Sequence, residues 1–284
     1  MAIINQLKTT VLLGILSGIL LGIGYWIGST KGMFIGLAIA ILMNFITYWY
    51  SDKIVLAMYR AREIKKKDNP NLYKIVQEVA LATGIPMPRI YIIPTDQPNA
   101  FATGRNPKNA AVACTNGIIN ILSPIELKGV IAHELAHIKN RDILIATIAA
   151  TIATVISYIA FMARFAAIFG GGDDRDGSNI ISLLVLGILT PIIATIIQLA
   201  ISRSREFLAD ETGAKTIKNP LALASALEKI HVAARRTPLR FGSPATASLF
   251  IANPFSGRSL INLFSTHPSL ESRVKRLRKL AMAL

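Results

Sequence analysis

The chain has 284 residues, 52% of them hydrophobic and only 17% charged, with a mean hydropathy of +0.48. That excludes an ordinary soluble domain and points to membrane spans. A formal net charge of +15 raises nucleic acid as a partner, but the basic residues carry no interleaved aromatics and no nucleic-acid motif, which argues against it.

Residues 11–27 and 33–49 are near-continuous apolar runs, joined by a short loop holding Lys31. The first sits where a signal peptide would. It lacks a small-residue cleavage site and a second span follows at once, so the pair is predicted to be a retained hairpin anchor. After it comes the basic cluster Arg60, Arg62, Lys65, Lys66 and Lys67, read as a topology signal or a contact to anionic lipid heads. A helix is predicted over 71–83, ended by Gly84-Ile85-Pro86. Short strands follow over 89–94, 99–103 and 109–115, the last two around the turn at Gly104-Arg105-Asn106-Pro107. The single Cys114 rules out an internal disulfide and is expected to be core.

Ser123-Pro124-Ile125-Glu126 reads as a capping box, with Ser at N-cap, Pro at N1 and Glu at N3. Leu127, Val130, Ile131, Leu135 and Ile138 then repeat at helical spacing, which predicts a helix to about Asn140. Within it lies His133-Glu134-Leu135-Ala136-His137. Residues four apart share a helix face, so both imidazoles can reach one metal ion, with Glu134 placed as a base toward a water. Burying two imidazoles and a carboxylate on an apolar face costs free energy unless something pairs with them, and a metal would.

Residues 143–169, with Arg164 near the far end, and 180–201, with Pro191 as a kink, are predicted as a second pair of spans. Helices over 202–214, 220–234 and from 269 onward complete the reading, and no internal repeat is evident. The segments 51–142 and 202–284 hold 27 of the 31 basic residues, while the loop 170–179 carries Asp173, Asp174 and Asp176 against Arg175. The positive-inside rule puts both large segments and both termini in the cytoplasm, with four spans. The domain reading is therefore 1–50 as an N-terminal hairpin, 51–142 and 202–284 as two halves of one cytoplasmic domain, and 143–201 as a second hairpin.

Zinc in an active site takes three protein ligands. A third His at 143, as metzincins place it, is absent, since that position is Ile143. The candidates are His231, His267 and the acidic residues. Glu206 and Asp210, four apart on one predicted helix, are the best of them: one can bind metal while the other accepts the free N–H of a ligating imidazole. His231 is read as a satisfied or exposed helix residue. The basic run Arg273, Lys275, Arg276, Arg278 and Lys279 is read as a helix near the surface. Arg203 and Arg205 flank the acidic pair, and the sequence leaves open whether they meet Asp210 or a substrate.

His133-Glu134-x-x-His137, then Glu206-x-x-x-Asp210 after a pair of spans, then Thr266-His267-Pro268, resembles the HtpX family of membrane zinc metalloproteases, relatives of the CAAX prenyl endopeptidases. Asn99-Ala100-Phe101-Ala102-Thr103-Gly104 is similar to a stretch of that family too. The resemblance implies a mainly helical α+β protein, a multi-pass anchor of about four spans with a cytoplasmic gluzincin-type protease domain containing a small sheet. It implies one Zn2+ held by His133, His137 and Glu206, with Glu134 as general base and Asp210 orienting a ligating His. It further implies that Asn99, Ala100, Phe101, Ala102 and Thr103 pair with an extended polypeptide substrate and that His267 stabilises the oxyanion, unless it only caps the next helix. The implied activity is a zinc endopeptidase of the cell membrane that clears misfolded membrane proteins. Two alternatives stand beside it: a non-proteolytic membrane protein with a structural zinc, and a prenyl-peptide protease. An intramembrane protease is disfavoured, because Glu126, Lys128, Lys139, Arg141 and Asp142 bracket the motif.

Overall fold

A computed structural model of the chain describes residues 2–153, 156, 203–237, 249, 251 and 268–283, the side chains of 2–6, 27, 28 and 203 excepted. His267, most of the predicted third span, the acidic loop 170–179 and the fourth span lie outside the described residues.

Helical backbone runs from Ala2 to Met58. It is not one rod: Ser29 has φ 51°, a left-handed conformation that reverses the chain. The result is α1 (Leu7–Trp26) and α2 (Ser29–Met58), each long and apolar enough to cross a membrane. They touch backbone to backbone at Gly24 and Gly32, and a Cβ at Gly36 would lie 2.6 Å from the Leu20 carbonyl oxygen. Small residues at such a seam are what lets two apolar helices approach closely. Asn44 Nδ2 donates to Ser17 Oγ across the seam (2.8 Å), and Ser17 Oγ in turn donates to the Leu13 carbonyl (2.9 Å), so these donors are satisfied within the pair of helices. Trp26, Phe34, Ile35, Ile41 and Leu42 face outward, more than half exposed, as lipid-facing side chains would. Two apolar helices stand where the sequence predicts them, but α2 continues to Met58 instead of ending near 49. The reason is packing: Val55, Leu56 and Tyr59 bury themselves against the sheet.

That sheet has four strands in the order β1-β2-β4-β3: β1 (Arg62–Glu63), β2 (Arg89–Ile93), β3 (Ala100–Gly104) and β4 (Ala110–Thr115). β2 and β4 run parallel; β1 pairs antiparallel to β2, and β3 antiparallel to β4, with Ala102 opposite Val112. Side chains alternate between its two faces. Ile90, Ala100, Ala102, Val112 and Cys114 point into one core. Tyr91, Ile93, Phe101, Ala111 and Ala113 point into another, shared with α2. Cys114 is fully buried as expected, and burial pushes its thiol up to about 12, helped by the Glu134 charge.

Helix α3 (Pro70–Thr83) begins with Asn69 accepting from the Leu72 N–H (3.0 Å) and ends at Gly84 with φ 74°. After α4 (Asn116–Ile121) comes α5 (Pro124–Asn140), whose capping box at Ser123 and Glu126 is formed as the sequence predicts. Arg141, at φ 57°, closes α5, and α6 (Ile143–Ala153) starts the next apolar run. Then follow α7 (Arg203–Ile217), α8 (Pro220–Arg236) and α9 (Leu270–Ala281). Helix α5 lies at the centre, packed on α7, α8, α3 and strands β3 and β4. Two glycines permit this: a Cβ at Gly129 would meet the Leu223 backbone of α8 at 2.9 Å, and one at Gly213 of α7 would meet Ala132 and His133 at 2.8 Å. The architecture is mainly helical, with a small mixed sheet and two apolar helices at the N-terminal side.

Candidate metal centre

Helix α5 buries eleven of its residues, and His133 and Glu134 are among them at 1% and 3% exposure. On the face toward α7, the Nε2 atoms of His133 and His137 lie 3.2 Å apart. Helix α7 brings Glu206 to the same point: Oε1 is 3.5 Å from His137 Nε2 and Oε2 is 3.7 Å from His133 Nε2. One ligand atom from each of these three residues lies within 4.8 Å of the others. The close approach at Gly213 is what seats α7 deep enough for Glu206 to reach.

The second ring nitrogens fix how the imidazoles are protonated. His133 Nδ1 is 2.9 Å from Asp210 Oδ1, and His137 Nδ1 is 3.1 Å from Asp142 Oδ2. In the neutral imidazole, which is the metal-binding form, an Nδ1–H donated to a carboxylate leaves Nε2 as a lone pair. Both lone pairs then point at each other and at a carboxylate, an arrangement of acceptors that repels itself unless a cation sits among them. Two imidazoles and a carboxylate are a donor set that suits a divalent metal, zinc above all.

Behind this lies a guanidinium. Arg273 of α9, 3% exposed, donates from Nε to Asp210 Oδ2 (2.8 Å) and from Nη2 to Asp210 Oδ1 (2.7 Å). This fork is the strong two-point form of the pair. Burial alone would raise the Asp210 pKa, but Arg273 and then His133 hold it at about 2. Arg273 Nη1 also donates to the Ile251 carbonyl (3.4 Å). Burial lowers the pKa of His137, and the carboxylates of Asp142, Glu206 and Glu134 outweigh it and raise it.

Glu134 faces the sheet side. Its Oε2 accepts from the Ala102 N–H of β3 at 2.8 Å. Burial, with the nearby Glu206 charge, pushes its carboxyl up to about 8, against the pull of His137, Ala102 and Arg273. A cation held by His133, His137 and Glu206 would draw that value down toward a working base. β3 is an edge strand, and in this register Ala100, Ala102 and Gly104 turn their backbone groups away from β4. Ala100 O accepts from the Ile251 N–H at 3.3 Å.

The predicted ligands His133, His137 and Glu206 thus converge, with Glu134 and Asp210 beside them. Of the predicted substrate strand, the backbone and the Ala100 and Ala102 side chains face α5. Phe101 is fully buried on the other face against Tyr59, and Thr103 Oγ1 pairs with Thr147 Oγ1 of α6 (3.0 Å). His231 is half-buried on α8 and belongs to no metal-ligating cluster among the described residues. Arg205 lies near Asp142 and Glu206, not on Asp210. One expectation is corrected: Arg273 is not part of a surface run but sits in the interior, because position 273 of α9 turns inward with Val274 and Leu277. Lys275, Arg276, Arg278 and Lys279 are exposed as expected. Asp142 was read only as a flanking charge. Its place five residues after His137, just past a helix end that folds back, is the signal that would have found it.

The sequence profile described as "Peptidase family M48" matches residues 66–281. The chain is 54% identical over 280 residues to a "Protease HtpX homolog" of Syntrophobacter fumaroxidans, covering 97% of this chain and 99% of that one. It is 55% identical over 278 residues to a "Protease HtpX homolog" of Pyrococcus furiosus, covering 98% and 96%. Among solved structures it is similar to S. mikatae Ste24p, with a TM-score of 0.50 and 18% identity, over 97% of this chain and 66% of that protein. The chain thus spans about two thirds of the Ste24p length, and a likeness at that identity concerns the fold alone. The profile match covers all the residues of the candidate metal centre, and the relatives match nearly end to end, so the chain belongs to peptidase family M48 and is a membrane metallopeptidase.

Proposed function

We propose that the chain is a zinc endopeptidase that cuts misfolded or damaged membrane proteins on the cytoplasmic side of the cell membrane. The observation that carries the reading is the meeting of His133 Nε2, His137 Nε2 and Glu206 at one point, with Glu134 one residue along the same helix. Zinc bound by these three would act as a Lewis acid toward the peptide carbonyl and the attacking water. Asp210 and Asp142 hold the Nδ1 protons of His133 and His137, which keeps both Nε2 lone pairs turned inward. Glu134 Oε1, the oxygen not held by the Ala102 amide, takes the proton from the attacking water and passes it to the leaving nitrogen. Pairing of an extended substrate with residues 99–103 is assigned on the family resemblance; it requires the substrate to displace Ile251 from the Ala100 carbonyl or to use the β3 groups not already bonded. His267 is assigned to the oxyanion on the family resemblance alone.

Four spans with both termini inside are supported by the 27 basic residues gathered in 51–142 and 202–284. The division into two hairpins, 1–50 and 143–201, and one protease domain of two halves rests on the same pattern. The site belongs near the bilayer surface, because α5 ends at Asn140 and the apolar α6 begins at Ile143. A site at that level suits cytoplasmic loops of membrane proteins as substrates.

The test is cleavage in proteoliposomes holding the full-length protein beside a client membrane protein, in a folded and a destabilised version. The expected result is cuts confined to cytoplasmic loops and faster in the destabilised client. Cuts only on the opposite face, or only in a prenylated peptide, would overturn the proposal.

A further inference from the structure

Aromatic side chains mark the level at which a membrane protein meets the headgroups. Near the end of α2, Tyr48, Trp49 and Tyr50 stand 37%, 46% and 43% exposed, and Asp52 and Lys53, the first charges after the apolar run 33–49, follow at once. The turn between β3 and β4 reaches this belt. The Arg105 guanidinium lies over the Trp49 ring, 4.2 Å from its centroid, and Lys53 Nζ stands 5.0 Å over the Tyr50 ring. Lys108, on the same turn as Arg105, is exposed. The acid beside the belt, Asp52, is already held by Arg89 at 2.9 Å. Among the described residues no carboxylate pairs with Arg105.

A stacked guanidinium spends its face on the ring and keeps its in-plane N–H fork for another partner, and that fork matches a phosphate. An aromatic belt topped by unneutralised cations is complementary to a surface with an apolar interior and anionic phosphates. We propose that Arg105, Lys108 and Lys53, set on the Trp49 and Tyr50 belt, form a docking surface for anionic phospholipid headgroups. The surface is joined directly to the chemistry. Arg105 follows Gly104, the last residue of β3, whose φ of 130° is a conformation that favours glycine and whose added Cβ would meet Ala110 Cα at 2.9 Å. The turn therefore has little freedom, and headgroups that hold Arg105 also hold the strand whose Ala102 amide touches Glu134.

The proposal rests on the membrane reading, not on the peptidase reading. The test uses full-length protein carrying Trp26→Phe, which leaves Trp49 as the one tryptophan of the two in the chain. It is reconstituted into bilayers mixing phosphatidylcholine and phosphatidylglycerol, with brominated chains on one lipid or the other, and Trp49 quenching reads which lipid lies against it. The expected result is a preference for phosphatidylglycerol of roughly fivefold that falls at high salt. It should shrink toward one in Arg105→Gln/Lys108→Gln and survive in part in Arg105→Lys, which keeps the charge. Equal quenching by both lipids, or an unchanged preference in the Gln variant, would overturn the proposal. No quenching by either lipid would overturn it together with the membrane placement of α2. Cleavage is not the readout, so loss of the peptidase reading leaves this result standing.

Discussion

Replacing Gly213 by alanine tests the geometry of the metal centre without touching a ligand. The new Cβ would lie 2.8 Å from the Ala132 carbonyl carbon and oxygen and from His133 N. Ordinary contact begins at 3.4 Å, so α7 and α5 must part by about 0.6 Å, the difference of the two distances. All three atoms are backbone, and no side chain can swing aside to make room. Helix α7 carries Glu206 and Asp210, and α5 carries His133 and His137, so the gap opens between the ligands themselves. Metal–ligand distances hold to about 0.2 Å, which makes a shift of this size disabling. Overpacking costs about 1–3 kcal/mol, and the gain of alanine over glycine in a helix returns about 1 kcal/mol, so global stability is the weaker readout. Metal affinity is the decisive one, with an expected loss of roughly 10- to 100-fold by chelator competition on the full-length protein in detergent. Wild-type affinity in Gly213→Ala would refute the claim that this contact sets the site.

Other perturbations follow from the same contacts. Glu126 accepts from the Ser123 N–H (2.9 Å), the Ser123 hydroxyl (2.8 Å), the Ser225 hydroxyl (2.6 Å) and Lys229 Nζ (2.8 Å). Burial alone would raise its pKa, but these donors hold it near 2 against an ordinary 4.5. A lowered folded pKa means that its contribution is complete above about pH 4.5 and is lost as pH falls toward 2. Glu126→Gln should therefore cost about 1–3 kcal/mol at pH 7 and much less at pH 2–3, read by urea unfolding at the two pH values; equal losses at both would contradict the assignment. Asp142→Asn should lower metal affinity about tenfold while leaving the far-ultraviolet circular dichroism unchanged, because it removes the negative charge behind His137 Nδ1 and leaves only the weaker amide oxygen to orient the ring. Arg273→Met strands the buried Asp210 and should destabilise the fold by about 3–5 kcal/mol, and Arg273→Lys should recover only part of it, since lysine cannot make the two-point fork. Full recovery by lysine in thermal unfolding would count against that fork.

The candidate metal centre was legible where its proposed ligands share a short stretch of helix. His133 and His137 are set by α5 alone, and Glu206 with Asp210 by α7 alone, so spacing within each motif reveals them. What spacing does not carry is which residues meet across elements. Arg273 lies 63 residues from Asp210, inside a run of five basic residues, and only the inward turn of α9 separates it from its neighbours. The same holds for Phe101: the strand was legible, but which face met α5 depended on its register against Ala113. The first hairpin was legible from apolar length, whereas the extension of α2 to Met58 was not, since it owes its stability to the sheet beneath it. β1 is two residues long and α4 six, too short for periodicity to mark.

The measurement closest to the centre of this account compares wild type with Glu134→Gln, both full length in detergent, for bound metal and for cleavage of an unfolded protein. The account predicts one metal ion in each and cleavage by the wild type alone, because His133, His137 and Glu206 hold the ion while Glu134 moves the proton. Cleavage by Glu134→Gln at the wild-type rate would contradict it.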